Sequence, residues 1–137
     1  MSNLIERAAA FATDAHRSQK WASEPYIVHP KRVAEAVAAY GGDDTAVAAA
    51  WLHDVVEDCG VSLEELCVFF NDDVADAVDS VTRRYGETYA ELVKRSALHS
   101  RGRVIKLMDV RDKMSVDHHF RPSLRKRYGR ALLILGG

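Results

Sequence analysis

The stretch Thr45-Ala-Val-Ala-Ala-Ala-Trp-Leu-His53-Asp54-Val-Val-Glu57-Asp58 decides the fold. Its first half, Ala46 to Leu52, is apolar on every side, which makes it the buried central helix of its domain. Asp43 or Asp44 caps the start and Gly60 stops the end, so one helix is expected from Thr45 to about Asp58. Four polar groups project from its last turns. Helical spacing puts His53 and Glu57 on one stripe and Asp54 and Asp58 on the adjacent one. Charges at the edge of a core are costly unless they are paired or hold a metal. One histidine and several carboxylates suit a divalent cation such as Mn, Fe, Co or Zn. A water-facing helix end knit by its own hydrogen bonds accounts for the same residues, and this segment alone does not choose.

Helical periodicity continues on both sides. Leu4 to about His16 carries Leu4, Ile5, Ala8, Phe11, Ala12 and Ala15 on one face. After the turn-rich Ser18 to Tyr26, His29-Pro30 opens a helix with proline at its first position, where the missing N–H costs nothing. Val33, Ala36, Val37 and Tyr40 form its buried stripe, and Gly41-Gly42 ends it. Ser62-Leu-Glu-Glu65 has the capping-box pattern of a short helix. Further helices are expected at Asn71 to Thr82, Thr88 to His99, Arg103 to Met114 and Pro122 to Leu135. Strand alternation is nearly absent, so the fold class is all-α, a bundle of about seven or eight helices in one domain spanning 1–137.

Composition narrows the function classes. With 47% hydrophobic residues and a formal net charge of −1, a chain of 137 residues folds rather than remaining disordered. No apolar run approaches the roughly 20 residues of a membrane span, and the N-terminus does not read as a signal peptide. Two cysteines, Cys59 and Cys67, are too few for a disulfide framework or a zinc knuckle. Cys67 lies among apolar residues and reads as a core filler. A cytoplasmic protein without membrane association fits.

The charge of −1 is a cancellation. Val33 to Thr82 holds 12 acidic residues and no Lys or Arg, whereas Arg101 to Gly137 holds 10 basic residues and three acids, Asp109, Asp112 and Asp117. The basic end alternates with Leu124, Tyr128, Leu132 and Leu133 at helical spacing, so an amphipathic helix explains it without nucleic acid. Two residues outside the central helix join the candidates. His29 is either a helix cap or a ligand. Asp109 in Lys106-Leu-Met-Asp109 follows an apolar stripe and is either a ligand or a buried acid bonded to Lys or Arg. His16 reads as a hydrogen-bonding residue beneath the Ser18 to Tyr26 loop, and Asp117-His-His119 as an exposed run. Phe69, Phe70 and Phe120 would offer a homo-oligomer surface.

His29-Pro30, Leu52-His-Asp-Val-Val-Glu-Asp58 and Lys106-Leu-Met-Asp109, in that order, resemble the HD-domain metal-dependent phosphohydrolases. Within these the chain is most similar to the Rel/SpoT-type alarmone hydrolases and their small stand-alone relatives. The resemblance extends through Ala15-His-Arg-Ser-Gln19, Ala48 to Asp54 and Asp79-Ser-Val-Thr82, and so covers nearly the whole chain. It implies an HD-domain helical bundle in which His29, His53, Asp54 and Asp109 bind one divalent metal, typically Mn. It implies that Glu57 and Asp58 position and deprotonate the attacking water. It implies a small-molecule nucleotide as substrate, an alarmone of the (p)ppGpp type losing its 3′-pyrophosphate. Two departures stand out. Lys113 occupies the position of an Asn that contacts the nucleotide, and Lys20-Trp-Ala-Ser23 lacks the Arg-Lys-x-Gly pattern that packs on guanine. Lys20, Trp21, Arg111 and Lys113 are accordingly the candidate substrate contacts. The alternatives are a phosphohydrolase of another small nucleotide or phosphoester, and a non-catalytic nucleotide-binding or sensing module.

Overall fold

The computed structural model describes residues 3–21, 23–116 and 122–136. Helices dominate: α1 (Asn3–Ala15), α2 (Val28–Tyr40), α3 (Asp44–Leu52), α4 (Val55–Cys59), α5 (Leu63–Phe69), α6 (Asp72–Val81), α7 (Tyr89–Leu98), α8 (Ser100–Val116) and α9 (Pro122–Leu135). The eight expected helices are present, one of them divided into α3 and α4. A two-residue antiparallel pair, β1 (Lys20–Trp21) and β2 (Glu24–Pro25), lies in the expected turn region. The Asp117-His-His119 run and Phe120 lie outside the described residues.

Local chemistry explains most boundaries. Asp43 Oδ1 accepts the Ala46 amide at 2.9 Å and starts α3, and Asn71 Oδ1 accepts the Val74 amide at 2.8 Å at α6. Ser62 with Glu65 and Thr88 with Glu91 form reciprocal capping boxes on α5 and α7. Gly41, at φ 106°, ends α2 in the left-handed conformation that favours glycine. The α2 start differs from expectation. It begins at Val28, so His29 and Pro30 are its second and third residues, and His29 is not the cap.

Ala46 to Ala50 and Leu52 are all buried, and α3 packs against α1, α2, α6 and α8. Alanines on every side of α3 let four helices approach it closely while still removing apolar surface from water. Gly102 sets another close approach. A Cβ there would stand 2.9 Å from Ser80 Cβ, so α8 rests directly on α6. Two expected core positions turn outward: Tyr40 is 59% exposed, and Cys67 is exposed on α5 rather than filling the core. Both sit near helix ends, where the apolar stripe no longer faces a neighbour. Phe69 is 49% exposed, although its ring meets Phe11 at 5.7 Å between centroids. No helix among the described residues is long and apolar enough to cross a membrane.

Candidate metal centre

The division between α3 and α4 falls on His53 and Asp54. The His53 ring donates from Nδ1 to the Ala50 carbonyl at 2.7 Å. A regular helix would commit that carbonyl to the Asp54 amide. The backbone tightens instead: the His53 amide bonds to the same Ala50 carbonyl at 3.4 Å, and Asp54 adopts φ −109°, ψ −1°. Consecutive side chains on a regular helix diverge by about 100°. The bend lets both turn toward one centre: Asp54 Oδ2 lies 3.1 Å from His53 Nε2.

His29 from α2 and Asp109 from α8 complete the cluster. His29 Nε2 is 2.9 Å from Asp109 Oδ1 and 3.7 Å from Asp54 Oδ2, and His53 Nε2 is 3.4 Å from Asp109 Oδ1. Both imidazoles and Asp109 are buried. One ligand atom each from His29, His53 and Asp109 lies within 4.8 Å of the others. Such spacing suits donors that each stand about 2.0–2.3 Å from a shared ion.

Each imidazole is fixed from behind. His53 Nδ1 is committed to Ala50, and His29 Nδ1 is 2.6 Å from Asp112 Oδ2. Asp112 is itself held by Arg32 Nε at 2.7 Å. This is how ligating histidines are oriented, with one nitrogen tied to a carboxylate or carbonyl and the other turned inward. His53 Nε2 provides the test of fit. It is buried and makes no hydrogen bond, although two carboxylate oxygens lie within 3.4 Å. An orphaned buried nitrogen is costly, and a cation shared with those oxygens satisfies it.

The electrostatics point the same way. Burial opposes charge on His53, but the carboxylates of Asp54 and Asp109 outweigh it and lift the imidazole to about 10. Burial likewise opposes ionisation of Asp109, yet Lys113 and Lys106 hold its carboxyl well below the usual range. Asp54 is also held low, against burial, mainly by His53. Ionised carboxylates at this depth attract positive charge, whether a proton on imidazole or a metal ion.

The remaining sequence candidates fall into groups. Lys113 Nζ reaches Asp109 Oδ2 at 3.4 Å, beside Lys106 Nζ at 3.1 Å. Asp109 is therefore at once a member of the cluster and a buried acid bonded to lysines. Trp21 stands edge-on to the His29 ring at 5.1 Å between centroids. Lys20 and Arg111 are exposed. Glu57 and Asp58 are exposed on α4, where Glu57 Oε1 accepts the Arg83 amide at 2.6 Å and Asp58 Oδ2 accepts from Gln19 Nε2 at 3.1 Å. His16 is buried, with Nδ1 2.8 Å from Gln19 Oε1. Three residues escape the sequence reading. Tyr26 donates to Asp54 at 2.5 Å, while Asp112 and Lys106 brace His29 and Asp109. Helical spacing three residues either side of Asp109 could have flagged Lys106 and Asp112. Nothing in the turn region marks Tyr26.

Among known families, a model described as HD domain matches residues 8–119. The chain belongs to the HD-domain family. This HD domain is 36% identical over 132 residues to a guanosine-3′,5′-bis(diphosphate) 3′-pyrophosphohydrolase of Aquifex aeolicus, covering 90% of this chain and 19% of that one. It is 44% identical over 84 residues to the MESH1 enzyme of the same name from Xenopus tropicalis, covering 58% of this chain and 47% of that one. The chain thus spans less than half the length of either. Other relatives carry the name GTP pyrophosphokinase. A solved structure described by the words "A metazoan ortholog of SpoT hydrolyzes ppGpp and plays a role in starvation responses" superposes with a TM-score of 0.87 at 25% identity. That match covers 100% of this chain and 88% of the other.

Asp112 gives a direct measure of what bracing contributes to this HD domain. Asp112→Asn leaves the side chain in place but removes the carboxylate behind His29 Nδ1. Affinity for a divalent metal ion is expected to fall about 10–100-fold. A metal titration giving unchanged affinity would show that His29 is oriented without Asp112.

Proposed function

We propose that this HD domain is a Mn-dependent phosphohydrolase that removes pyrophosphate from the 3′ side of a (p)ppGpp-type nucleotide. The observation that carries the reading is the convergence of His29, His53, Asp54 and Asp109, with both imidazoles locked so that Nε2 faces inward. These four residues are the ligands in this reading. Bound there, a divalent ion supplies a water acidic enough to be hydroxide near neutral pH and neutralises phosphate charge.

The chain's own residues do the rest. His29 and His53 stay in one tautomer because Asp112 and Ala50 occupy Nδ1. Lys106 and Lys113 hold Asp109 Oδ2, leaving Oδ1 to face the histidines. Glu57 and Asp58, one turn past Asp54, are the acidic pair that positions the attacking water and accepts its proton. Trp21, edge-on to His29, offers a stacking surface for the base in place of the missing Arg-Lys-x-Gly pattern. The cytoplasm is the compartment this reading assumes, in keeping with two unpaired cysteines.

The test is release of phosphate or pyrophosphate by the Mn-loaded protein from a nucleotide panel that includes ppGpp. Pyrophosphate from ppGpp supports the proposal. Activity confined to other nucleotides selects a phosphohydrolase of different substrate range, a reading favoured by Lys113. Binding without turnover selects a sensing module. Lys113→Asn frees Asp109 from one of its two ammonium partners and restores an amide toward the nucleotide. ppGpp turnover is expected to rise about tenfold, the worth of one good polar contact. No gain would show that Lys113 is not what limits alarmone hydrolysis.

A further inference from the structure

Tyr89, the first residue of α7, sits among cations. The Arg127 guanidinium carbon is 4.8 Å from its ring centroid, Lys106 Nζ is 5.4 Å away and the Arg83 guanidinium carbon is 5.7 Å away. The face of a phenol stabilises one such cation, but three around one ring repel each other. Lys106 has Asp109 as its counter-charge. The Arg83 and Arg127 side chains have no carboxylate partner among the described residues. The Tyr89 hydroxyl is buried and has no hydrogen-bond partner there either. Burial, followed by the Asp109 charge, keeps this phenol protonated and therefore a donor.

The cluster borders space. A cavity of about 250 Å³ opens between α7 and α9, lined by Tyr89, Arg127 and Arg130 together with Val93, Ala131 and Ile134, and no acidic residue among the described residues lines it. The cluster is also continuous with the metal centre on two sides. Lys106 touches both Tyr89 and Asp109, and the Arg83 amide is bonded to Glu57. Two unpaired guanidinium groups, an unpaired hydroxyl and an open cavity without acids lack one thing, an anion with several acceptor oxygens.

We propose that Tyr89, Arg83 and Arg127 form a second anion subsite, which holds the phosphate groups of the substrate that are not cleaved. This rests on the reading of the metal centre as acting on a nucleotide. It assigns residues to the part of the substrate that reading leaves without contacts: the cleaved group lies at the metal centre and the remaining phosphates at Tyr89. Arg127 and Arg83 contribute charge-assisted hydrogen bonds and the Tyr89 hydroxyl a neutral one.

The experiment has two arms, both with the full chain, metal-free in the first and Mn-loaded in the second. In the first, where the metal centre cannot take up the anion, calorimetry measures inorganic pyrophosphate binding to wild type, Arg83→Gln, Arg127→Gln and the double variant. Lys126→Gln, at the exposed neighbour of Arg127 on α9, is the charge-matched control. Affinity is expected to fall about tenfold in each single variant and further in the double, one charge-assisted contact at a time. Lys126→Gln stays within about twofold, as for a screened surface charge. Unchanged pyrophosphate affinity in the double variant overturns the subsite, as does an equal loss in Lys126→Gln. In the second arm, KM for ppGpp rises in Arg127→Gln and in Tyr89→Phe while kcat holds, and guanosine 3′-diphosphate, lacking phosphate at the far position, is indifferent to both substitutions. Equal effects on the two nucleotides overturn the assignment of the subsite to the uncleaved phosphates. Because pyrophosphate binding needs no turnover, the first arm decides the subsite even if ppGpp hydrolysis fails.

Discussion

Asp109→Ala is expected to abolish turnover and to lower Mn affinity by about a thousandfold or more, because it removes a ligand atom together with its charge. It is also expected to be the most destabilising change at the centre. Asp109 is 1% exposed and serves two sides, with Oδ1 at His29 and Oδ2 at Lys106 and Lys113. Removing it strands a buried ammonium on Lys106, and breaking one partner out of a buried pair costs about 3–5 kcal/mol. Asp109→Asn separates the two consequences. It preserves shape and a carbonyl acceptor, so the fold suffers less while metal and turnover are lost alike. Thermal unfolding and metal content of the two variants make the comparison. Retention of full metal content in Asp109→Asn would remove Asp109 from the ligand set.

His53→Ala is expected to remove turnover as completely and to destabilise the metal-free fold, though less than Asp109→Ala does. The imidazole is buried and carries the proton that offsets the Asp54 and Asp109 carboxylates when no metal is bound, so deleting it forfeits both packing and that counter-charge. Metal linkage exposes the difference. A ligand at about a thousand times its Kd stabilises the native state by about 4 kcal/mol. Wild-type protein should therefore melt at a markedly higher temperature when Mn is added, and His53→Ala should not respond. Asp54→Ala should behave in the same way. A Mn-dependent rise in melting temperature that survives in His53→Ala would mean that the stabilising ion is bound elsewhere.

The fold was legible because its signals are local. The apolar Ala46 to Leu52 segment, the Ser62 and Asn71 caps and the glycines after α2 and α4 each act within a few residues. Periodicity therefore places the helices almost where they lie. The α3–α4 bend was not legible, because it depends on the His53 ring competing for a backbone carbonyl, and a pattern of apolar spacing carries no information about that. Tyr40 and Cys67 were misplaced for a related reason. Periodicity says which face a residue shares but not whether a neighbouring element extends far enough to cover it. At the centre, the sequence singled out His29, His53, Asp54 and Asp109 and left a metal site and an ionic network as rivals. The structure shows them to be compatible, since the lysines that bond Asp109 do so through the oxygen turned away from the histidines. The bracing contacts of Tyr26 and Asp112 come from residues 28 and 83 positions away from their partners, beyond the reach of any local pattern.

The contact at Gly102 has a consequence well beyond its own neighbourhood. Gly102 lies on the same helix as Asp109, seven residues earlier, which is two turns or about 10 Å along α8. Resting directly on Ser80, it sets how deeply α8 is seated in the bundle, and thereby how far the Asp109 carboxylate is pushed toward His29. A helix is stiff over two turns, so a methyl group at position 102 would act as a shim under one end of a lever. Drift at this glycine, remote from the site and chemically inert, would then surface in a screen as weakened metal retention before it registered as unfolding.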